Sequence, residues 1–194
     1  MTIFSLYIYD RHCECIYYQD WHRTRPLKTP SATNLKPGVL RLPPSSTAQS
    51  TVRESIFSNS TNRNSNASEA KVNGGGRAGL PFDEESKLVY GVVLSLRNMV
   101  KKLSGKDEAF TSFRTSQYKL HLYETMTGYK FILLSDPETD SLRFVLRQIH
   151  VGPFIEHVVR NPLIEVDSRI EGIDNDLFRE AVDRHIRGLS MFGT

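Results

Sequence analysis

A chain of 194 residues is long enough for one domain with appendages, and a formal charge of +3 is too small to mark a nucleic-acid binder by itself. No apolar run reaches the roughly 18–20 residues that span a bilayer. The first ten residues are apolar but lack a basic n-region and a small-residue cleavage site, which argues against a secretory signal and for a cytosolic chain, or one on the cytosolic face of a membrane.

The opening stretch 3–9 is rich in β-branched and aromatic residues. Phe4, Leu6 and Ile8 alternate with Ser5, Tyr7 and Tyr9, as in a strand with one clearly apolar face. Asp10, Arg11 and His12 make a turn, and 15–18 returns as a second strand. The stretch 24–80 breaks the pattern. Ser, Thr, Asn, Gly and Pro supply 31 of its 57 residues, including Asn73-Gly74-Gly75-Gly76. Such a composition buries too little apolar surface to offset an ordering entropy of roughly 1–2 kcal/mol per residue, so 24–80 is expected to be a disordered insert in a single domain spanning 1–194. A long surface insertion is tolerable because closure entropy grows slowly with loop length. It reads as a spacer, or as a basic tether to an anionic membrane or a phosphorylated Ser/Thr region.

The insert also explains the charge. It holds eight basic side chains against Glu54 and Glu69, leaving the other 137 residues with 17 basic and 20 acidic groups. The folded part is mildly acidic and has no basic stripe with interleaved aromatics, so nucleic acid is not an expected partner. Asn59 and Asn66 head Asn-x-Ser/Thr sequons, which without a secretory route are chance matches.

After the insert, Asp83 can cap a helix with Glu84 and Glu85 at its positive end, Lys101 and Lys102 at its negative end and Gly105 as its stop. Leu88, Val92, Leu96, Met99 and Leu103 recur at helical spacing as the expected buried stripe, widened by Val89, Val93 and Val100. Glu85, Arg97, Asn98, Lys101 and Lys102 then face outward. Three strands follow over 110–115, 118–124 and 129–134, the last two joined through a Thr127-Gly128 turn. Asp136-Pro137 reads as a cap with a first-turn proline. A long, largely enclosed helix is expected over 140–160, kinked or interrupted at Gly152-Pro153. A last helix over about 174–188 presents Phe178, Ala181, Val182, Ile186 and Leu189 inward. The order ββ-(insert)-α-βββ-α-α predicts an α+β fold of longin/profilin type, a five-stranded antiparallel sheet between helices.

The residues for chemistry are sparse. Gly74-Gly75-Gly76 has no following Lys-Ser/Thr, and neither a Gly-x-Ser-x-Gly elbow nor a His-Glu-x-x-His pair occurs. Cys13 and Cys15, with His12 and His22 nearby, do not form a zinc ligand set, and His150 and His157 are two helical turns apart. Asp136, Glu138 and Asp140 read as helix-start acids. No catalytic residue, cofactor or metal is therefore expected.

Several blocks together resemble a known family. They are Leu6-Tyr7-Ile8-Tyr9-Asp10-Arg11 with Tyr18 and Trp21-His22-Arg23, Glu84 to Gly91, and Ser95-Leu96-Arg97. They continue with Phe113-Arg114-Thr115-Ser116-Gln117-Tyr118-Lys119-Leu120-His121, Tyr123-Glu124-Thr125, Thr127-Gly128 and Val158 to Leu163. The chain resembles the subunit-one family of the TRAPP tethering complex, small longin-type core subunits. The long insert departs from the compact family members, and Pro153 stands where the family's helix continues. The resemblance implies a non-catalytic core subunit that pairs with a second longin-type subunit and with α/β-type neighbours. It also implies a composite surface for guanine-nucleotide exchange on a Rab-family GTPase in ER-to-Golgi and Golgi traffic. Location would be cytoplasmic, peripheral on Golgi and endoplasmic reticulum membranes. Paired longin domains present their first helices to a GTPase, which makes Arg97, Asn98, Lys101 and Lys102 the expected GTPase- or subunit-binding residues. The alternative is another longin-like trafficking module, such as an adaptor small chain; a longin SNARE would need a heptad-patterned helix and an anchor.

Overall fold

The computed structural model describes residues 2–23, 35–41, 80–104, 109–165 and 169–189. Residues 1–41 and 79–194 form one compact unit; a second unit, 42–78, lies outside the described residues. So do the expectations placed on Asn59, Asn66, Gly74–Gly76 and Gly105.

The strands are β1 (Ile3–Tyr9), β2 (Cys15–Asp20), β3 (Ser112–Arg114), β4 (Lys119–Glu124) and β5 (Lys130–Ser135). They form one antiparallel sheet in the order β2-β1-β5-β4-β3, which places the N-terminal strand beside the C-terminal hairpin. Helix α1 (Phe82–Ser104) covers one face. Helix α2 (Arg143–Ile149), its π-helical continuation (His150–Val159) and α3 (Asp176–Arg187) cover the other. This is the predicted α+β, longin-like plan.

Both faces of β1 are buried, where alternation predicted one. Leu6 and Ile8 join the core under α2 and α3, while Tyr7 and Tyr9 join the core under α1. Tyrosine can line a buried face because its ring packs and its hydroxyl still finds a partner. Here the partners are on α1: Tyr7 Oη donates to Glu85 Oε1 at 2.8 Å and Tyr9 Oη to the Ser86 carbonyl at 2.7 Å.

These bonds overturn the predicted orientation of α1. Phe82, Asp83, Ser86 and Val93 are its buried residues, with Val89 and Tyr90 packed beside them. Most of the expected inner stripe lies outside, with Leu88 56% exposed, Met99 54% and Leu103 80%, whereas Val89 and Val93, expected to widen it, are the part that packs on the sheet. Glu85, expected in solvent, is held against the sheet by Arg23, whose guanidinium donates to Glu85 Oε2 at 2.5 Å and to Tyr18 Oη at 2.7 Å. Helical periodicity finds apolar stripes but cannot choose between two of them. The tyrosine hydroxyls make the choice by rewarding the face that carries Glu85 and the Ser86 carbonyl.

The predicted 140–160 helix begins later, at Arg143, and Asp136 is not its cap. The Asp136 carboxylate accepts from the Thr2 amide at 2.6 Å and fastens the start of β1. Pro153 does not end the helix, but α-helical geometry gives way at His150, so the expected interruption takes the form of a change in turn width. The proline lies inside the π-helical stretch, where the Arg160 amide reaches back to the Ile155 carbonyl. Proline lacks the amide that an α-helical turn needs, and a wider turn accommodates that gap. The helix is only half enclosed: Phe154 and Val158 are buried, whereas Phe144, Val151 and Val159 are exposed.

Residues 35–41, inside the predicted insert, are folded. Val39 is fully buried, and the Pro37 carbonyl accepts from the Gly172 amide at 2.9 Å. The segment lies over the outer side of β2, where the Ile173 amide also donates to the Ile16 carbonyl at 2.8 Å. Together they cover an edge strand that would otherwise present unpaired backbone groups. Composition missed this strap because few residues anchor it: Val39 with Leu35 and Leu40 beside it, some backbone carbonyls, and the ion pairs of Lys36 and Arg41. The stretches 24–34 and 42–79 lie outside the described residues.

Candidate interaction surface

The outer side of α1 carries two kinds of residue. Leu88, Val92, Met99 and Leu103 form an apolar line along its length, and Asn98, Lys101 and Lys102 form an exposed polar cluster towards its C-terminal end. Of the four residues expected to bind a partner, Asn98, Lys101 and Lys102 are exposed on this helix. Arg97 turns inward and pairs with Glu124 on β4 at 3.2 Å. Scattered apolar residues on a surface are ordinary, but a continuous line flanked by charge is the pattern of a protein-binding face.

Below this helix end, Arg97, Lys101, Phe110, Leu122, Met126 and Arg143 surround a cleft of about 290 Å³ at the outer edge of β4. A larger hollow of about 630 Å³ lies between the β1–β2 turn, the strap and the start of α1. Its wall includes Lys36, bridged to Glu14 at 2.9 Å and Asp10 at 3.4 Å, so its cation is already neutralised.

The ionisable groups do not assemble into a reaction centre. Burial pushes the Cys15 thiol up to about 12, which keeps it protonated and unreactive. Cys13 is exposed and accepts from Tyr90 Oη at 2.7 Å. His121 is fully covered, and burial lowers its imidazole to about 4, with the Lys119 charge adding to the effect. Its Nε2 lies 2.9 Å from Ser135 Oγ, and its Nδ1 accepts from the Leu142 amide at 3.3 Å, so the neutral ring tethers the entry to α2. Burial also lowers His150, which packs among Tyr123, Phe131 and Phe154. No group of three His, Cys, Asp or Glu side chains among the described residues is placed to hold a metal ion. No helix among them is long and apolar enough to cross a membrane.

The motif residues Trp21 and Arg23 act as a clamp on the fold. Trp21 Nε1 donates to Asp183 on α3 at 2.7 Å, while Arg23 grips α1 through Glu85. Arg179, which the sequence did not single out, joins α3 to β2 and the strap. It donates to the carbonyls of Tyr18 at 3.0 Å and Gly38 at 2.7 Å, and its guanidinium lies 4.8 Å from the Tyr17 ring centroid. On an amphipathic helix such an arginine is indistinguishable in sequence from a solvated one.

A five-stranded antiparallel sheet with helices on both faces defines a longin-like α+β domain. The chain belongs to the Sybindin-like family, whose profile matches residues 3–189. It is 34% identical to transport protein particle subunit bet5 of Schizosaccharomyces pombe, over 99% of this chain and 100% of that protein. It is 30% identical to trafficking protein particle complex subunit 1 of Rattus norvegicus, over 99% and 97% respectively. Against subunit BET5 of Saccharomyces cerevisiae it is 27% identical over 86% of this chain and 78% of the relative.

Proposed function

We propose that this chain is a core subunit of a TRAPP-type vesicle-tethering complex. By itself it does not catalyse; within the assembly it contributes to the composite surface that exchanges guanine nucleotide on a Rab-family GTPase. Near full-length similarity to subunits of the trafficking particle supports the assembly role. The observation that carries the reading to a surface is α1, a helix packed on the sheet by one side whose second apolar line, Leu88 to Leu103, is left uncovered beside Asn98, Lys101 and Lys102. In this reading the apolar line seats a neighbouring subunit, and the cationic end faces an acidic GTPase surface and steers its approach. The work would take place on the cytosolic face of endoplasmic reticulum and Golgi membranes.

The test is reconstitution with partner subunits, using the double variants L88S/M99S and K101E/K102E. Loss of co-elution on gel filtration is expected for the first. For the second, a complex that assembles but releases GDP from its Rab several-fold more slowly is expected. Wild-type assembly and exchange in both variants would remove α1 from the reading.

A further inference from the structure

We infer that the outer face of α2 and its π-helical continuation is a docking site for an anionic lipid surface. Charge placement supplies the first half of the case. Arg143 is the first residue of α2 and Arg147 follows one turn later, both exposed, and no acid stands in the first turn. A cation at a helix N-terminus opposes the macrodipole, and like charges four residues apart repel, so both placements cost the helix stability. Arg160, exposed just past the other end, is a third cation. Between 143 and 160 the one acid is Glu156, with Asp140 before the helix, whereas outside 24–80 acids outnumber bases by 20 to 17. A cationic stretch that weakens its own helix and runs against the charge of its own domain is answered by a negative partner.

The side chains between the arginines supply the other half. Phe144 is 66% exposed, Val151 57% and Val159 50%, with Ile155 half-buried among them. They stand seven or four residues apart and so follow one side of the helix, while Val145, Leu146, Ile149, Phe154 and Val158 hold its other side in the core. An aromatic and aliphatic line bordered by arginines is the make-up of helices that lie in a membrane interface. The ring and methyl groups enter the acyl-chain boundary, and the guanidiniums stay among the headgroup phosphates. The face is the convex side of a helix, which a fluid lipid surface meets without needing a matching groove. Helix α1 lies across the sheet, so a chain seated in this way keeps its α1 face free, and the inference stands apart from the reading of α1.

The test is sedimentation of the full chain with phosphatidylcholine vesicles that hold about one-third phosphatidylserine. Co-sedimentation is expected, weakening with salt and absent with phosphatidylcholine alone. R143E/R147E and F144S/V151S should each bind roughly tenfold or more weakly, since each removes one half of the contact. All four side chains are exposed, and glutamate suits the first turn of α2, so both variants should keep the unfolding midpoint of the parent chain. F144W reads the same face without removing it: its emission should shift to the blue on the anionic vesicles as the indole leaves water. Attachment through the basic stretch 24–80 instead would leave R143E/R147E binding intact and F144W emission unmoved, and either result overturns the proposal. So does a wild-type chain that stays in the supernatant. A protein partner on this face would show as R143E/R147E lost from a reconstituted assembly with vesicle binding unchanged, which also overturns it.

Discussion

Arg179 sits where α3, β2 and the strap meet, and its guanidinium donates to the carbonyls of Tyr18, Gly38 and Val39. Truncation to alanine strands these acceptors in a closed space and removes the stacking on Tyr17. Arg179→Ala is expected to cost roughly 2–4 kcal/mol in urea unfolding. Arg179→Lys should recover only part, since an ammonium cannot span the same acceptors. His121 gives a pH-dependent counterpart. Its folded value of about 4 lies below the ordinary 6.5. The unfolded chain therefore binds a proton between these values that the folded chain refuses. The stabilisation is complete above pH 6.5 and falls as pH drops toward 4, by about 3 kcal/mol in total. His121→Gln should be less stable at pH 7.5 and should lose less on acidification; equal acid sensitivity in both proteins would remove this role from His121. The sequence singled out neither role, Arg179 not at all and His121 only within the block that carries the resemblance, because both act through partners far away in sequence.

At the scale of elements, α1 is a helix with two apolar lines, one used by the fold and one left over. Val93→Ala on the inner line should destabilise the isolated chain by roughly 1–3 kcal/mol, whereas L88S/M99S should change its unfolding free energy by no more than about 0.5 kcal/mol per site. Similar losses in both would return the outer line to the core. The extent of this helix was readable from Leu88 to Leu103 and from the acids and lysines at its ends; its rotation was not. The strands were readable because alternation and the Thr127-Gly128 turn are local signals, and β1 and β2 begin where the pattern places them. The π-helical turn around Pro153 was not readable, since sequence signals a missing amide without saying whether the helix breaks, bends or widens. For the candidate site, only the outward position of Asn98, Lys101 and Lys102 was legible; Arg97 is drawn toward Glu124 on β4, a partner distant in sequence.

At the scale of the whole molecule, the strap redraws the predicted insert. Replacing 42–79 with a short Gly/Ser linker should leave the thermal midpoint within a few degrees, because loop length costs little. Extending the replacement to 24–80 removes Val39, the Gly38 and Val39 carbonyls that accept from Arg179, and the Arg41 ion pairs with Asp174 and Asp176. It should lower the midpoint measurably in the same calorimetric scan; equal midpoints would make the strap dispensable. Gly38 has a φ of +83°, and a Cβ there would lie 2.6 Å from that of Asp174, so the strap tolerates no side chain at this point. The strap also makes the chain divisible. Residues 2–41 contribute a strand hydrogen-bonded within the sheet to β5, a second strand, and a tail tied down by α3. A protease cutting within 42–79 would therefore leave two pieces that remain one particle. Fragments 1–41 and 80–194, expressed separately, would be expected to find each other and restore the domain, so a single nick would change the bands on a denaturing gel without ending the protein's working life.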